Sequence, residues 1–134
     1  MKRFLLLVAV LTAALAGTAG AAEFATITPQ ALSQRLQSGD AELLVLDVRS
    51  AAEFDAGHLP GAINIPHDVI GERFGELGAQ GTRDIVVYCR SGRRSALALA
   101  ALRQAGFQRL FQLEGDYLRW SGEGRPLIRA SAPP

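Results

Sequence analysis

Two short runs in this chain are apolar at every position: Leu43 to Leu46, ending at Asp47, and Ile85 to Tyr88, ending at Cys89. A strand with one face in water alternates apolar and polar residues, so an unbroken apolar run predicts a strand covered on both faces, as in a parallel sheet. Phe24 to Ile27, Ala62 to Ile65 and Arg109 to Leu113 have the composition of three more strands. Between these runs the pattern changes to helical spacing. Thr28 before Pro29 offers a capping hydroxyl and a proline at the first helical position, Leu32 and Leu36 share a face, and Gly39 ends the helix. Ala51 to Asp55 makes a short helix closed by Gly57, and Leu59-Pro60-Gly61 is a turn. Val69, Ile70, Phe74 and Leu77 have the spacing of a helix over 68–77, with Gly71 and Gly75 lowering its propensity. Ser95 to Ala105 predicts an alanine and leucine rich helix stopped by Gly106, and Tyr117 to Ser121 a last short one; Ala130 to Pro134 reads as a loose tail. Strands alternating with helices predict an α/β fold, a parallel sheet of about five strands flanked by helices on both faces. Such sheets bind ligands beyond the carboxyl ends of their strands, where Asp47 and Cys89 both fall.

Composition narrows the picture. A chain of 134 residues, 49% hydrophobic, carries one domain with a real core and is not of the disordered class. Lys2 and Arg3, the apolar run from Phe4 to Ala16 and the small residues through Ala22 have the form of an export signal, cleaved after Ala21 or Ala22. Residues 1–22 are therefore expected to leave, so that 23–134 form a single domain, periplasmic or secreted, with no stable membrane association. The competing reading is an uncleaved anchor, since this segment approaches the roughly 20 residues of a spanning helix. Without Lys2 and Arg3 the balance is 12 basic residues against 13 acidic, a net charge of −1 from the chain's formal +1. That gives no support to a nucleic-acid partner. Every basic residue after Lys2 is arginine, so an anion site must be built from guanidinium groups and backbone amides.

Cys89 is the only cysteine, which excludes an internal disulfide. The stretch Cys89-Arg90-Ser91-Gly92-Arg93-Arg94-Ser95 joins a buried strand to the start of an apolar helix. The first turn of a helix has amides without partners and the positive end of the peptide dipoles, a ready cradle for an anion. The thiolate is the nucleophilic form of cysteine, and a helix N-terminus flanked by arginines is a setting that favours it. Cys89 is accordingly the candidate nucleophile, and Arg90, Ser91, Gly92, Arg93, Arg94 and Ser95 are the candidate substrate-binding residues. Ser95 reads more readily as a helix cap than as a catalytic hydroxyl, and at least one of the three arginines should face water. Asp47 and Arg49 are possible supporting residues, with Asp47 more often a structural acceptor in such a place and Arg49 spaced to pair with Glu53. His58 braces its turn. His58 and His67 lack the partners and spacing of a metal site, and no cofactor is called for.

These residues carry a resemblance that covers nearly all of the chain after the signal. Leu46-Asp47-Val48-Arg49, Glu53-Phe54 and Gly57-His58-Leu59-Pro60-Gly61-Ala62-Ile63-Asn64-Ile65-Pro66, followed by Tyr88-Cys89-Arg90-Ser91-Gly92-Arg93-Arg94-Ser95, resemble the rhodanese family in content and order. The chain looks closest to the small exported rhodaneses of the phage shock protein E type. The resemblance implies a sulfurtransferase whose matching cysteine becomes a persulfide. Its donor would be thiosulfate or a persulfide, its acceptor cyanide or a thiol, and the protein a monomer. The family often has a glycine pair in the turn after its last strand, where this chain has Glu114-Gly115. Rival functions are a persulfide carrier without turnover and a thiol redox sensor. A cysteine phosphatase or arsenate reductase fits less well, because those phosphatases have arginine six residues past the cysteine and Ser95 stands there.

Overall fold

The structure, a computed structural model, describes residues 23–79 and 81–131. The signal-peptide expectation and residues 132–134 of the tail lie outside them. Five strands form one sheet: β1 Ala25–Ile27, β2 Leu43–Asp47, β3 Ile63–Asn64, β4 Asp84–Tyr88 and β5 Leu110–Leu113. Their order is β1-β5-β4-β2-β3 and every pairing is parallel. The α-helices are α1 Pro29–Gln37, α2 Ala51–Ala56, α3 Arg93–Gln104 and α4 Asp116–Gly122.

The period of two along each strand divides the core in two. Leu44, Leu46, Ile85, Val87 and Cys89 face α3, where Ala98, Leu99 and Leu102 cover them with Ile70, Leu77 and Phe107. Val45, Val86, Tyr88 and Leu113 face the other way, under Leu32 of α1 and Trp120 of α4. Helices therefore cover both faces, as the apolar runs predict.

Most elements lie within a residue or two of their expected bounds, and three departures have local causes. The expected helix over 68–77 is two 3-10 turns, Ile70–Glu72 and Phe74–Leu77. Arg73 separates them at φ −126°, ψ 20°, and Ile70 and Leu77 are their buried anchors. With glycine at 71 and 75 a continuous helix gains too little to exclude this arrangement. The strand expected over 62–65 contracts to Ile63–Asn64, although the Ile65 amide still reaches Asp47 O at 3.0 Å. The helix expected from Ser95 begins at Arg93. Gly92, at φ 121°, is its N-cap, and Ser95 sits buried in the first turn and caps nothing.

Candidate active site

Parallel pairing of β2 and β4 sets Asp47 opposite Tyr88, so both strands end at one rim of the sheet. One residue further, Cys89 turns to the opposite face, beneath the start of α3. The thiol is 1% exposed. The Gly92 amide donates to Cys89 Sγ at 3.0 Å, and Ser95 Oγ lies 3.6 Å from the sulfur. The next first-turn amides of α3, those of Arg93, Arg94 and Ser95, have no intrahelical acceptor, as at any helix start. The loop's other side is pinned by α4, whose Tyr117 and Leu118 amides donate to the carbonyls of Cys89 and Arg90.

The loop arginines divide into two groups. Arg94 makes a two-point ion pair with Glu53 of α2, at 2.6 and 3.0 Å, and this hydrogen bonding pulls the Glu53 carboxyl down to about 2. Arg90 and Arg93 are exposed and form no salt bridge among the described residues. Ser91 is exposed as well, and Gly92 is half-buried. An exposed arginine was expected; that two of the three are exposed, and that the third is tied to α2, required the structure.

Asp47 and Arg49 are buried and belong to a neighbouring structural network. Arg49 grips the Asp47 carboxylate through Nε and Nη2, donates to Gly57 O, and lies over the Tyr117 ring with Cζ 4.3 Å from its centre. Burial opposes the charge on Arg49, but bonding to Asp47 outweighs it and holds the guanidinium above its ordinary range. Tyr88 donates its hydroxyl to Asp47 Oδ2 at 2.6 Å and accepts the Leu59 amide at 3.1 Å. Burial, and then the Asp47 charge, push the Tyr88 phenol far above its usual value, so it stays a donor. The spacing that suggested an Arg49–Glu53 pair is overruled, because each residue has a better placed partner across the fold. His58 does brace its turn: it stacks on Phe54 at 3.6 Å and exchanges backbone bonds with Ile128. Among the described residues no cluster could hold a metal ion.

Sequence reasoning missed one acidic residue altogether. Asp116, 2% exposed, accepts the Cys89 amide and the Ser95 hydroxyl on Oδ1, each at 3.0 Å. Ser95 Oγ also reaches Gly92 O at 2.9 Å and accepts from Gln112 Nε2 at 3.2 Å, so its single hydrogen has two acceptors to choose from. Asp116 is the one non-glycine residue with positive φ among the described residues, at 51°, following Gly115 at 74°. The turn after β5, where the sequence sets Glu114-Gly115 against the family's glycine pair, has its left-handed pair one position later, at Gly115-Asp116. A positive φ cannot be read from a single sequence, and Asp116 stands 27 positions from Cys89.

A parallel α/β sheet whose central strand is followed by a buried cysteine, with its sulfur met by the N-cap amide of the next helix, is an arrangement that can hold a thiolate or a bound anion at a helix N-terminus. The family described as Rhodanese-like domain matches residues 28–123, and the chain belongs to it. A protein named Sulfurtransferase from Allochromatium vinosum is 38% identical over 102 residues, which are 76% of this chain and 92% of that one. In structure, the chain is similar to the rhodanese-like domain of the Alr3790 protein from Anabaena sp., with TM-score 0.71 and 27% identity over 84% of this chain and 89% of the other. It is also similar to the BH2092 protein of Bacillus halodurans, with TM-score 0.72 and 27% identity over 78% and 77% of the two chains. The domain is thus of the sulfurtransferase type.

Proposed function

We propose that this chain transfers sulfane sulfur through a persulfide on Cys89, with thiosulfate among its donors and cyanide or a thiol as acceptor. The observation that carries the reading is the Gly92 amide, 3.0 Å from Cys89 Sγ at the head of α3, a donor aimed at the atom that must bear negative charge. In the first half-reaction the Cys89 thiolate forms a bond to the outer sulfur of thiosulfate. The bond from that sulfur to the sulfonate sulfur breaks, and its electron pair leaves with sulfite. In the second, a lone pair of the acceptor takes the outer sulfur, and the pair of the broken bond returns to Cys89. Both steps share one covalent intermediate, which predicts ping-pong kinetics.

Arg90 and Arg93 are the guanidinium groups free to meet the donor's oxygens, while Ser91 and the amides of Gly92, Arg93, Arg94 and Ser95 complete the anion-binding set. The Arg94 side chain braces the loop against α2 through Glu53. The same reading makes residues 1–22 a cleaved signal peptide and the mature protein a monomeric, exported rhodanese of the phage shock protein E type, in the periplasm or outside the cell.

The test is thiosulfate-to-cyanide transfer by the mature protein beside Cys89→Ser. Thiocyanate formation that disappears in the serine variant is the expected result. A folded wild-type protein that gains a sulfur atom by mass yet shows no turnover would replace the enzyme with a carrier, and one that neither gains sulfur nor turns over would retire thiosulfate as donor.

A further inference from the structure

The acidic groups around Cys89 are each paired with an arginine, with one exception. Asp47 is matched by Arg49 and Glu53 by Arg94. Asp116 is buried, like Asp47 and Arg49, yet it forms no salt bridge among the described residues and receives only the neutral Cys89 amide and Ser95 hydroxyl. Its Oδ1 is taken by those two donors. Its Oδ2 lies under the loop, where a Cβ built on Gly92 would meet it at 3.3 Å. Gly92 is also the residue whose amide reaches the sulfur. The carboxylate is therefore placed beneath the anion cradle, held there by a left-handed backbone that a residue with a side chain adopts only at a cost.

We infer that Asp116 is a specificity-determining residue, whose buried charge, with no ion-pair partner among the described residues, makes the site under the Cys89 loop favour monoanionic sulfane donors, such as thiosulfonates and alkyl persulfides, over dianionic thiosulfate. The inference rests on the sulfane-sulfur reading above and narrows its substrate class. Two further effects act in the same direction. By drawing the Ser95 hydroxyl, Asp116 removes a rotatable donor that would otherwise be free to turn toward an added charge. Arg90 and Arg93, the cations that offset it, are exposed and so act through water, whereas the carboxylate is buried and weakly screened.

A matched pair of donors isolates charge from mechanism. Benzenethiosulfonate and thiosulfate both give up an outer sulfur to the Cys89 thiolate, and the electron pair leaves with sulfinate or sulfite respectively. Asp116→Asn keeps the shape and the acceptor at Oδ1, and Asp116→Gly removes the side chain while suiting the positive φ. In both variants kcat/KM for thiosulfate should rise relative to benzenethiosulfonate by about tenfold, mainly through KM. A second pair tests the charge effect without any sulfur transfer. Alkylation of Cys89 by iodoacetate should gain on alkylation by neutral iodoacetamide in the same two variants. Donor and alkylation ratios that both stay at the wild-type value would overturn the inference. A shifted alkylation ratio with no turnover on either donor would leave the charge effect standing and overturn the sulfurtransferase reading with its donor preference.

Discussion

The placement of Cys89 and Gly92 was legible because it is local: a cysteine and a glycine three positions apart, after an apolar run and before an apolar helix, suit a strand end, a tight turn and a helix start. Gly92 has two reasons to be glycine, its φ of 121° and the approach of Gln112 Nε2 and Asp116 Oδ2 to within 3.2 and 3.3 Å of any Cβ. Gly92→Ala should therefore lower kcat/KM at least about tenfold by turning the amide off the sulfur, and a steady-state assay on the folded variant checks this. The hydroxyl of Tyr88 was invisible in the sequence because its partners, Asp47 and Leu59, are 41 and 29 positions away. Tyr88→Phe keeps the ring but strands the buried Leu59 amide and takes a donor from Asp47, at a cost of about 1–3 kcal/mol that urea unfolding would read. Asp116 was illegible for the same reason of distance.

At the scale of elements, the pattern located strands and helices well and their internal character less well. The apolar spacing over 68–77 correctly marked Ile70 and Leu77 as buried, but spacing alone does not distinguish a helix from two 3-10 turns that bury the same anchors. Thr28, by contrast, caps α1 as expected, accepting the Ala31 amide at 3.1 Å, and Thr28→Ala should cost about 1 kcal/mol in thermal or urea unfolding. How α2 meets α3 was not legible, because Glu53 and Arg94 are 41 positions apart. The carboxyl of Glu53 is lowered in the folded state from 4.5 to about 2, so its contribution is complete above 4.5 and is lost as pH falls toward 2. Both partners are partly exposed, and water reduces the pair's worth to about 1 kcal/mol. Urea midpoints of wild type and Glu53→Gln should differ at pH 6, and the difference should shrink below pH 4.5 and close as pH falls through about 2.

For the whole molecule, two fully apolar runs were enough to predict a parallel sheet between two layers of helices, since no other arrangement buries both faces of a strand so simply. They did not give the strand order, which depends on where β1 and β5 pair after a separation of most of the chain. In that order β4, which carries the cysteine loop, is central, with β5 and β2 on its flanks. Native-state hydrogen exchange should therefore find the amides of Val86 and Val87 among the slowest and those of β1 and β3 among the fastest. The same order leaves β1 and β3 at the two margins, three and two residues long. A sheet margin is a template on which another polypeptide can grow a strand, and one this short has too few free backbone groups to seed the process. Cys89 is thus carried on a scaffold that offers its own copies little free edge on which to join.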